Sequence, residues 1–136
     1  MRSFLRDLGC VIGGAVAGVI VIAVVETVSS MIYPLPSGFD PGDMEALKAH
    51  AAQLPLGAFL LVLAGWGGGN LLGSWLATRV APARHSHPGV IVGVILLAAG
   101  IANMLMLPHP AWFWVAALVM FPVCTYFGTR LGLSHS

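Results

Sequence analysis

The chain has 136 residues, enough for one domain, but 58% of them are hydrophobic and only 8% are charged, against roughly a quarter charged in a water-soluble domain. That balance excludes a soluble globular fold, because an interior of this size cannot hide so much apolar side chain, and it makes the lipid bilayer the first partner. The formal net charge of +1 rests on six Lys and Arg residues scattered singly, which excludes the basic stripe of a nucleic-acid-binding face.

Taken in chain order, four stretches have the roughly 20 apolar residues that cross a ~30 Å hydrocarbon core: about 8–32, 55–79, 88–107 and 111–131. The prediction is an all-α, polytopic membrane protein forming a single four-helix domain over 1–136. An Arg2 and Arg6 start before an apolar run has the shape of a signal peptide. The run is too long and no small-residue exit site follows, so an uncleaved first helix is expected. Pro34 and Pro36 stop that helix, Pro55 opens the second, Pro82 and Pro88 bracket the middle loop, and Pro108 with Pro110 forms the third turn. The first connection alone is polar, and its second half reads as a short helix. Asp40 caps it, Pro41 takes the first helical position and Asp43 favours the dipole. Met44, Leu47, Ala51 and Leu54 share one face and Glu45, Lys48 and Gln53 the other, as in an amphipathic helix lying on the membrane surface. A lid over a cavity is the sharper alternative.

Orientation follows from the basic residues. Arg2, Arg6, Arg79, Arg84 and Arg130 fall at one set of span ends and only Lys48 at the other, so the positive-inside rule puts both termini in the cytoplasm and the short helix in the first outer loop. The expected location is the inner (cytoplasmic) membrane of a bacterial cell. Cys10 and Cys124 then lie toward the cytoplasmic half, where no structural disulfide is expected.

Glycines recur at four-residue spacing on every span. The set Gly65, Gly69 and Gly73 on the second, with Gly14 and Gly18 on the first, marks close helix packing. Similar pairs on the third and fourth spans suggest self-association, or docking onto other membrane subunits. The run Gly65-Trp66-Gly67-Gly68-Gly69-Asn70 reads as a smooth seam on an unbroken helix rather than a break, since freed backbone lacks partners in hydrocarbon.

Glu26 is the only acid inside a span, with no Lys or Arg there to pair with it. An isolated carboxylate in hydrocarbon is expensive, so it must be protonated, hydrogen-bonded or facing water. At 1.5 Å per residue it lies about 12 Å below Pro34, and Asn103 about 7.5 Å below Pro108. Glu26, Tyr33, Asn103 and His109 are thereby expected to converge on an outward-opening polar site. Trp112 and Trp114 would stand at its rim, with Trp66 and Asn70 as further lining. His109 taken alone reads as a wet interfacial residue. All five histidines fall in loops, turns or the tail, which argues against a haem held between helices. His85, His87 and His135 lack nearby Cys or acid partners and read as solvated, so neither metal nor cofactor is expected.

In plan, four short helices with one acid in the first, the chain resembles the small multidrug transporters, which work as dimers and exchange protons at that acid. Glu26 lies nearer the outer end than in those proteins, the outer helix has no counterpart there, and the resemblance transfers no residue. The leading expectation is an oligomeric carrier or passage for a small solute or proton using Glu26. The alternatives are a non-catalytic subunit docking onto a larger membrane complex and a small membrane-embedded lipid-modifying enzyme, for which no catalytic set is present in the sequence.

Overall fold

The structure is a computed structural model that describes residues 1–40, 42–82 and 85–134. Among these there are five helices and no strand: α1 (Arg2–Ile32), α2 (Met44–Ala52), α3 (Leu56–Val80), α4 (His87–Met106) and α5 (Ala111–Ser134). Four of them, all but α2, are long and apolar enough to cross a membrane, so the chain is a small multi-pass membrane protein. The α1 helix begins six residues before the expected span, because Arg2, Leu5 and Arg6 are sound helix formers and charge does not stop a helix. Both termini sit at one end of the bundle. The α1–α3 and α4–α5 connections sit at the other, called here the loop end.

The centre of the bundle is α3, which packs against α1, α4 and α5. It is continuous through the glycine run, as a seam requires. Gly65, Gly69 and Gly73 all face α1. A Cβ built on Gly73 would stand 2.7 Å from the Gly14 carbonyl oxygen, and one on Gly14 would stand 2.5 Å from that of Gly73. The Gly18–Gly69 pair repeats this one turn on, at 2.8 and 2.6 Å. At Gly65 the neighbour is the Val25 side chain. Such approach brings backbones into dispersion and Cα–H···O contact where lipid supplies no hydrophobic push.

Most of the other glycines are used within the bundle too. Gly89 fits against Thr78, Gly93 against Thr125, Gly128 against the Leu71 carbonyl and Gly132 against Thr78. The sequence pattern read as a surplus of interface is therefore largely consumed by one chain. Among the helical glycines Gly9 and Gly13 are the exceptions, with open space where a Cβ would go.

One polar cluster pins α5 to α3. Asn70 is wholly buried and donates from Nδ2 to the Phe121 carbonyl at 3.0 Å, while its Oδ1 accepts from Ser74 Oγ and Thr125 Oγ1, each at 3.1 Å. Pro122, inside α5, lacks the amide hydrogen that would bond the carbonyl four residues back. The Asn70 bonds thus clamp the helix beside its weakest point.

The short helix begins later than the sequence suggests. Asp43, not Asp40, is its N-cap, accepting from the Ala46 amide at 3.1 Å, whereas Asp40 accepts from the Gly42 amide at 2.9 Å and closes a turn. Both aspartates have capping chemistry, and the turn leaves the second to start the helix. Pro41 lies outside the described residues, as do Arg84 and His135.

Candidate ligand cavity

Close packing of α1 on α3 through the glycine pairs fixes the next turns of α1, carrying Glu26, Ser29, Ser30 and Tyr33, beside the start of α3. The phenol of Tyr33 rests on Gly57, where any Cβ would collide with it. From the other side α4 brings Asn103 and Leu107, and the turn after it brings His109. Between them is a cavity of about 370 Å³, whose lining includes Glu26, Tyr33, Trp66, Asn103 and His109. A smaller recess of about 190 Å³ adjoins it, sharing Glu26, Trp66 and Asn103 and otherwise walled by apolar side chains such as Ile22, Leu96 and Phe121. Glu26 stands where the two meet.

The carboxylate of Glu26 is exposed rather than packed, and among the described residues it has no hydrogen bond or ion pair. Two of the nearby hydroxyls are already used, Thr27 donating to the Ala23 carbonyl at 2.7 Å and Ser30 to that of Thr27 at 2.8 Å, and none of the others is bonded to Glu26. Water or a ligand must therefore supply the donors that an ionised Glu26 requires.

The aromatic side of the cavity is a packed cluster. His109 stacks at 4.6 Å on Phe113 and lies 5.9 Å from Phe59 and 6.3 Å from Trp66, ring centre to ring centre. Its Nδ1 is 2.9 Å from the Leu107 carbonyl and donates to it in the Nδ1–H tautomer. His109 is thus a half-buried member of this cluster and not the loose interfacial residue its position in a turn suggests. Trp66 is 4% exposed and meets Phe113 edge to face at 5.4 Å.

Two expected residues, Asn70 and Trp114, are elsewhere. Asn70 reaches neither cavity, because its polar atoms are spent on the α5 clamp. Trp112 lines an adjoining pocket of about 420 Å³ that shares Phe59, Pro108 and His109 with this cavity, and Trp114 packs against the core. The residues that sequence reasoning missed are on α2 and the start of α3. Leu47, His50 and Ala51 wall the cavity from one side, and Phe59 and Val62 line it from the other. The amphipathic pattern of α2 was the available signal, but an apolar face turns equally well to lipid or to a neighbouring helix.

The fold and this cavity define a small integral membrane protein of four membrane-crossing helices around an acid-bearing recess. Set against known protein families, curated proteins and solved structures, the chain matches none.

Proposed function

We propose that the protein is a carrier or passage for a small cationic solute or proton, with Glu26 as the exchanging group. One observation carries this reading: among the described residues Glu26, the only acid of the membrane-crossing helices besides Asp7 at the terminus end of α1, stands unpartnered where two cavities meet, among aromatic rings. An ionised carboxylate beside Trp66, Tyr33 and Phe59 attracts a cation both by charge and through ring faces. Protonation removes that charge, so solute and proton compete for one site and a proton gradient can drive release. The basic-residue asymmetry puts the loop end outside an inner membrane, so that the larger cavity faces outward, and α2 covers one side of it.

The experiment is solvent access. In a background with Cys10→Ala and Cys124→Ala, Glu26→Cys should react with a membrane-impermeant maleimide added from outside, whereas Val24→Cys, on a lipid-facing position of the same helix, should not. Equal inertness of the two would sink the reading.

A second reading rests on Gly9 and Gly13, whose faces no other helix of the chain covers. In that reading this face docks onto a helix of another subunit or of a second copy, and the protein is a non-catalytic component of a larger assembly. Purification in mild detergent separates the two, since only a docking subunit brings different chains with it.

A further inference from the structure

Away from the acid-bearing cavity, a groove of about 540 Å³ runs along α4 and α5 toward the end carrying the termini. Its walls are apolar, including Val90, Val94, Leu97 and Phe121, and its far end carries Ser86 and Arg130. We propose that this groove is a binding site for an anionic phospholipid of the leaflet on the terminus side, with one acyl chain along the groove and the headgroup phosphate at Arg130.

Three features point to that occupant. Length is the first: Ser86 and Leu97 are eleven residues apart, about 16 Å along a helix, which is half of a ~30 Å hydrocarbon core and so the depth of a single leaflet. The second is the chemistry of the groove, whose lining is mostly apolar, with Thr125 and Thr129 along it, and carries its one charged side chain, Arg130, toward the terminus end. Charge is the third. Among the described residues Arg130 has no carboxylate partner. Its guanidinium lies 5.9 Å from the centre of the Tyr126 ring, which leaves its donors free for phosphate oxygens. The groove follows the α4–α5 seam, which is closed where Gly93 packs on Thr125 and Gly89 on Thr129, while Pro122 and the Asn70 clamp shape α5 beside it.

Native mass spectrometry of the full chain in mild detergent tests this, with phosphatidylglycerol and phosphatidylcholine of identical acyl chains offered together in equal amounts. The wild type should retain phosphatidylglycerol about five-fold over phosphatidylcholine, the preference that one basic side chain near the membrane surface supplies. Arg130→Gln should abolish the preference, while Arg130→Lys should keep it. Arg6→Gln, at the same end but outside the groove, should keep it too. Val94→Trp, which fills the groove, should lower retention of both lipids. Indifferent retention by the wild type would overturn the proposal, as would an unchanged preference in Arg130→Gln. So would a dimer that covers the groove, shown by disulfide capture of Val94→Cys between two copies.

Discussion

Replacing Gly73 by alanine tests the packing that positions the cavity. The new Cβ would lie 2.7 Å from the Gly14 carbonyl oxygen and 3.1 Å from Val92 Cγ1. A comfortable C···O contact is about 3.3 Å or more, so α1 must retreat by about 0.6 Å. That retreat also opens the Gly18–Gly69 contact one turn away. Overpacking of this kind costs about 1–3 kcal/mol. Alanine also favours the helix by up to about 1 kcal/mol over glycine, so the control is Gly13→Ala, which has the same gain and nothing within 4 Å of the new Cβ. The difference between the two variants isolates the contact and should be about 1–3 kcal/mol, or a five- to 150-fold change in the folded-to-unfolded ratio. Reversible unfolding in mixed micelles, followed by tryptophan fluorescence, measures it. Equal stability of Gly73→Ala and Gly13→Ala would refute the assignment of the glycine stripe to the α1–α3 seam.

Three further outcomes follow from other parts of the bundle. Asn70→Leu removes the clamp on α5 and should lower stability by about 1 kcal/mol in the same assay, in the range of single polar contacts between membrane helices; no loss would show the cluster to be incidental. Contrary to the reading of His85 as lacking an acid partner, Asp7 from α1 reaches its Nε2 at 3.3 Å in the loop before α4, because the fold brings the start of α1 to that loop, and Asp7→Asn removes the charge from this contact. Both groups are about one-third exposed, so the change should stay below about 1 kcal/mol at any pH. Impermeant labelling of Ser37→Cys in sealed cells should succeed from outside, and a cytoplasmic Ser37 would reverse the orientation of the cavity.

The helices were legible in the sequence because hydropathy and proline placement act locally, and both survive folding. Gly14, Gly18, Gly65, Gly69 and Gly73 were also readable as packing residues, since four-residue spacing on a helix defines one face. Their partners were not. Spacing alone does not distinguish a neighbour in the same chain from one in another, and it was the fold that matched Gly14 with Gly73 and Gly18 with Gly69. Asn70 shows a second limit. Polar residues on a span look alike whether they line a cavity or hold a helix, and the deciding contact, the Phe121 carbonyl, is 51 residues away. The start of α2 was misplaced because two aspartates three residues apart carry the same capping chemistry, and a side-chain turn at Asp40 selects the second.

The central claim is that Glu26 exchanges protons against a solute, and proton-linked flux in reconstituted vesicles measures it most directly. Wild-type vesicles loaded with a small organic cation and subjected to an inward proton gradient should release the cation and take up protons. Glu26→Gln keeps the size and the hydrogen-bonding capacity of the side chain but cannot ionise, so vesicles bearing it should show neither flux while the protein still folds. Gradient-driven exchange that persists unchanged in Glu26→Gln would contradict the account.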